Sequence, residues 1–83
     1  MIVKAITYMY EQDGHQNQKV VGVYSSKEIS KGIEEVKEGM IALGRKIIRE
    51  EKDCCNYFLE FSGGDYGKEC FYTGDYILNE LNL

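Results

Sequence analysis

The chain has 83 residues, 43% hydrophobic and 29% charged, with no proline and a formal net charge of −4. That length makes a single domain, 1–83, and the mix excludes collagen-like, low-complexity and disordered classes. No apolar run approaches the roughly 20 residues of a membrane-spanning helix. Residues 1–7 (MIVKAIT) carry neither a basic region before an apolar run nor a small-residue cleavage site, so the expected address is the cytoplasm.

Residues 2–10 (IVKAITYMY) are rich in Ile, Val, Thr and Tyr and predict a strand. Ile2, Ile6, Tyr8 and Tyr10 fall on one face, and Val3, Ala5 and Met9 on the other. Two apolar faces suit a central strand, or one whose second face is covered. Residues 11–17 form a polar turn around Asp13-Gly14, a pair that supplies the positive φ of a hairpin. Residues 18–24 (QKVVGVY) return as a second strand.

Ser25-Ser26-Lys27-Glu28 fits a capping box, with Ser25 as N-cap and Glu28 reaching back. Ile29, Ile33, Val36, Met40, Leu43 and Ile47 then follow at spacings of one helical face. The pattern predicts helix from 26 to about 38. It leaves open whether the helix runs on to about 52 or breaks near Gly39 or Gly44 into another element. Residues 53–55 are a junction. Residues 56–62 (NYFLEFS) alternate Tyr57, Leu59 and Phe61 against Asn56, Phe58, Glu60 and Ser62, the pattern of a half-buried strand. A glycine-rich loop, 62–67, leads to a last strand over 69–78, with Gly74 marking a bulge. Leu78, Leu81 and Leu83 allow a final turn of helix. The order β-β-α-β-β implies an α+β fold, an antiparallel sheet with one main helix packed on one face. The other face is then either solvated or an interface.

The chain has few groups suited to catalysis or metal binding. Its single histidine, His15, sits in a turn, and Cys54, Cys55 and Cys70 contain no C-x-x-C spacing, so no metal site is expected. An odd cysteine count with an adjacent pair does not resemble a disulfide framework, and no second histidine is present to activate a thiol. Gly63-Gly64-Asp65-Tyr66-Gly67-Lys68 fails as a phosphate loop. Ser62 stands where the pattern needs its first glycine, and Glu69 where it needs Ser or Thr. Arg45, Lys46, Arg49 and Lys52 are interleaved with Glu50, Glu51 and Asp53, which reads as a solvated, salt-bridged face.

The charge imbalance falls in residues 54–83, where Lys68 stands against Glu60, Asp65, Glu69, Asp75 and Glu80. Tyr57, Tyr66, Tyr72 and Tyr76 share that segment. Tyrosine is enriched at interfaces, and acids beside it suit a basic surface on another protein. The candidate partner-binding residues are Asp65, Tyr66, Glu69, Tyr72, Asp75 and Tyr76. The competing reading is that Tyr57 and Tyr72 fill the core while the acids keep a small protein soluble.

Val21-Gly22-Val23-Tyr24-Ser25-Ser26-Lys27-Glu28, preceded by Tyr10, Asp13-Gly14 and Lys19, resembles a set of small bacterial and phage domains of unknown function. In these a first hairpin leads through a G-V-Y-S-S-x-E step into a helix. Phe71, Tyr76 and Leu78 resemble their late aromatic strand. The resemblance covers about the first 40 residues and the last 15, and the chain departs from it over 39–64. It implies the β-β-α order and a bacterial or phage origin, and it carries no catalytic residues.

The expectation is therefore a small acidic, non-catalytic protein-binding domain without cofactor or metal. It would act as an inhibitor of a basic-surfaced partner, of the immunity-protein or phage anti-defence (anti-CRISPR) type, with no direct contact to nucleic acid or membrane. The alternative is a homodimeric accessory or scaffold protein that uses the uncovered sheet face.

Overall fold

In a computed structural model the described residues are 2–54, 56–64 and 67–77. The elements are β1 (Ile2–Gln12), β2 (His15–Tyr24), α1 (Ile29–Ala42), β3 (Lys46–Asp53), β4 (Asn56–Gly64) and β5 (Gly67–Ile77). The five strands form one antiparallel sheet in the order β2-β1-β5-β4-β3. The fold is α+β and contains the predicted β-β-α-β-β succession. A further strand, β3, lies between α1 and β4.

The β1–β2 hairpin closes on a two-residue turn. Gln12 pairs with His15, and Asp13 (φ 53°) and Gly14 (φ 78°) supply the left-handed backbone that hairpin turns need. Residues 11–12 and 15–17, read from sequence as turn, extend the two strands. The ladder shifts between Ile6 and Thr7 because Val21 is an extra residue on β2. The ladder between β1 and β5 runs unbroken from Ile2–Ile77 to Tyr10–Glu69 and passes through Ala5–Gly74, so this pairing carries no bulge at Gly74.

Helix α1 starts three residues later than its sequence pattern suggests. Its N-cap is Glu28, which makes no side-chain cap bond. Ser25 instead accepts the Glu28 N–H through its backbone carbonyl at 3.0 Å. A backbone turn thus uses the donor that a capping box would have left to side chains. The far end explains why the apolar stripe does not continue as helix. Gly44 has φ +85° and donates to the Ile41 carbonyl, while Arg45 donates to the Met40 carbonyl. This is a Schellman stop, which favours glycine at its left-handed position. The break is therefore at Gly44 rather than Gly39, and Ile47 lies on β3.

Ile29, Ile33 and Met40 of α1 form one buried cluster with Ile6, Leu59, Phe61 and Phe71, and Tyr8, Tyr24, Val36 and Tyr57 pack against it. Strand register puts these sheet residues on a common face: Tyr8 pairs with Phe71, and Phe71 with Leu59. The Tyr24 ring lies against Gly32, where a Cβ would come within 2.6 Å of the ring Cζ, so only glycine lets helix and ring approach this closely. Lys37 of α1 also pairs with Glu50 of β3. Among the described residues no helix is long and apolar enough to cross a membrane. The suggested helical turn over Leu78, Leu81 and Leu83 lies outside the described residues.

Candidate interaction surface

Strand alternation separates the predicted patch. Successive side chains of β5 point to opposite faces, so Glu69, Phe71, Thr73 and Asp75 share the α1 side with the core, and Cys70, Tyr72 and Tyr76 share the other. Glu69 is 3% exposed. It accepts a bond from the Tyr8 hydroxyl and one from Arg45 Nε at 3.0 Å. Burial and the Glu69 carboxylate both push the Tyr8 phenol well above its ordinary pKa. Glu69 thus belongs to the polar margin of the core, not to an exposed patch. Asp75 is exposed, and it pairs with the buried Lys4, whose Nζ also donates to Asn56 Oδ1 at 3.1 Å. Thr73 continues this network, donating to Asn56 Oδ1 at 3.2 Å and accepting the Tyr57 N–H at 2.8 Å. Asp65 and Tyr66 lie outside the described residues.

Two of the acids that set the C-terminal charge imbalance are therefore compensated from elsewhere in the chain, Glu69 by Arg45 and Asp75 by Lys4. A third, Glu60, has Lys68 at 3.9 Å.

Tyr72 and Tyr76 instead join a surface assembled from all five strands. Register places Val20, Thr7, Tyr72, Phe58 and Glu51 in one row across the sheet, and Gln18, Met9, Cys70, Glu60 and Arg49 in the next. Val23 and Ala5 lie beyond, with Val3 beside Tyr76. Among the described residues no element lies over this open face. Tyr76, Val20 and Val23 are 51%, 54% and 49% exposed, and Tyr72, Phe58 and Met9 are half-buried. Tyr72 and Phe58 are each in contact with a polar neighbour. Tyr72 donates to Gln18 Oε1 at 3.1 Å, and the Arg49 guanidinium lies 4.9 Å from the centre of the Phe58 ring. Arg49 is fixed in turn by two bonds to Glu51, which hold that carboxyl below its usual range.

Toward the β1–β2 hairpin the open face deepens into a cavity of about 420 Å³. Met9 and Cys70 contribute its apolar wall, and Glu11, Asp13, Glu60 and Lys68 its charged groups. The Cys70 thiol lies 3.9 Å from Glu60 Oε2. Burial raises its pKa, with Glu60 adding to the shift, so it is a neutral thiol at pH 7 rather than an activated nucleophile. Cys54 is exposed, and neither cysteine is in a disulfide. Among the described residues no cluster of His, Cys, Asp or Glu is arranged to hold a metal ion.

Sequence reasoning did not assign Met9, Val20, Val23, Phe58 or Glu60 to the same surface as Tyr72. Part of the signal was present: Val3, Ala5 and Met9 read as one face of β1, and Phe58 and Glu60 as one face of β4. Joining them needed the strand order and register.

Comparison of the chain with protein-family models, curated proteins and solved structures returns no match.

Proposed function

We propose that this protein is a non-catalytic protein-binding domain that meets its partner through the open face of the sheet. The observation that carries this reading is the shared face of exposed Tyr76, Val20 and Val23 and half-buried Tyr72 and Phe58, with no described element over it. Aromatic side chains held by their neighbours give large contact area at low ordering cost. A net charge of −4 speeds encounter with a basic surface. Such a binder acts by covering its partner's working surface, which makes it an inhibitor, and the resemblance to small bacterial and phage domains suits a setting of toxin, nuclease or defence-protein control. Glu69 is not part of this surface, and Asp75 stands on the opposite side of the sheet.

The test is affinity capture from cells that express the protein, using the wild type and a Tyr72→Ala/Tyr76→Ala variant, with low- and high-salt washes. Retention of one salt-sensitive basic protein by the wild type and its loss from the folded variant is the expected result. Equal retention by both sinks the open-face assignment. Recovery of only a second copy of the chain favours the homodimer, which the same apolar face would serve.

A further inference from the structure

We infer that the cavity at the hairpin end of the open face is a socket for an arginine side chain of the partner. This rests on the reading of that face as the contact surface, and it names the chemistry at one end of it. The cavity, at about 420 Å³, has room for one long side chain together with water. Its lining matches a guanidinium on an aliphatic stem. Met9 and Cys70 offer an apolar wall for the methylenes, and the raised pKa of the thiol keeps that wall uncharged at pH 7. The carboxylates of Glu11, Asp13 and Glu60 line it with one cation, Lys68, and Arg49 lies beside Glu60 outside the lining, so the lining charge complements a basic group. Three carboxylates lining one cavity suit the five donors of a guanidinium better than the compact charge of an ammonium.

Glu60 is the central group. Its side chain is only 14% exposed. Both of its close contacts fall on Oε2 and both are long, 3.9 Å to Lys68 Nζ and 3.9 Å to Cys70 Sγ. A carboxylate can accept about four hydrogen bonds, so Glu60 keeps capacity for a shorter, charge-assisted pair. Lys68 competes for the same oxygen, but its side chain is 74% exposed and can turn outward into water. Glu69, a carboxylate of still deeper burial, contrasts with Glu60: it already holds Arg45 at 3.0 Å together with the Tyr8 hydroxyl.

The experiment is an NMR titration of the full chain with Nα-acetyl-arginine amide, compared with the isosteric, uncharged citrulline analogue. Expected are saturable shifts at the Met9 methyl and at the Glu60 and Cys70 amides with the arginine probe only. Glu60→Gln weakens binding about tenfold, the scale of a charged hydrogen bond. Lys68→Gln tightens it, an effect that a purely structural role for the cluster does not produce. Absence of shifts, equal shifts with the citrulline probe, or unchanged affinity in Glu60→Gln overturns the inference. Failure here with capture still lost in Tyr72→Ala/Tyr76→Ala removes the socket alone. A working socket with capture unaffected by that variant removes the open-face reading instead.

Discussion

The two faces of the sheet place similar residues in different conditions. On the α1 side, Glu69 and Asp75 are each satisfied by a cation from a distant part of the chain, Arg45 and Lys4. These links close the margins of a core centred on Leu59 and Phe61, both 0% exposed. On the open side, the contacts of Glu60 with Lys68 and Cys70 are both long, at 3.9 Å, and the aromatic rings of Tyr72 and Phe58 are half-buried. Acids and tyrosines on the α1 side hold the fold together. The same residue types on the open side are ordered by neighbours yet retain surface and hydrogen-bonding capacity, which is what a binding surface requires.

Substitutions should divide along this line. The largest effect is expected from Phe61→Ala, which removes a fully buried ring and costs about 3–5 kcal/mol. For a domain this small that is most or all of its stability, so far-UV circular dichroism should report unfolding at 25 °C. Arg45→Ala leaves Glu69 buried beside only the Tyr8 hydroxyl and should cost about 2–3 kcal/mol, read from the urea midpoint. Arg45 is itself partly exposed, which keeps the loss below that of a fully buried pair. Gly44→Ala forces a left-handed backbone on alanine at the helix stop and should cost about 1 kcal/mol. Tyr76→Ala, on the open face, should shift stability by no more than about 0.5–1 kcal/mol. Among these variants, it is the one expected to lose partner capture while remaining folded.

The pH dependence sharpens the same contrast. Tyr8 keeps its proton to higher pH in the folded state than in the unfolded chain, where phenols ionise near about 10. Stability from this group is fully present below about pH 10 and is lost as pH rises toward the folded value. The urea midpoint should therefore fall in alkali, and Tyr8→Phe should flatten that fall. A midpoint that changes identically in both proteins would show that the Tyr8–Glu69 contact does not contribute.

Much of the fold was legible because it is local. The Asp13-Gly14 turn, the alternation of Tyr57, Leu59 and Phe61, and the Ile29–Met40 stripe are each written in adjacent residues. Strand β3 was not. Its eight residues, KIIREEKD, are all exposed and mostly charged, so no period-two pattern marks them. They form a strand by pairing with β4, and the charges suit an edge that must not recruit another chain. The proposed surface was half legible for the same reason. Tyr72 and Tyr76 do share one face of β5, but grouping them with Glu69 and Asp75 treated neighbours in sequence as neighbours in space. Alternation on β5 sends the acids to one side and the tyrosines to the other. Phe58, Val20 and Glu60 joined the tyrosines through register, which depends on long-range pairing.

The most direct test of the open-face account is site-specific photocrosslinking in cells that express the protein. A benzophenone amino acid would be placed at Tyr72 or Tyr76 on the open face, and at Glu34 or Ile41 on the exposed surface of α1. The account predicts a partner adduct from the first two positions and none from the second two. Adducts from the helix positions, or from neither face, would contradict it.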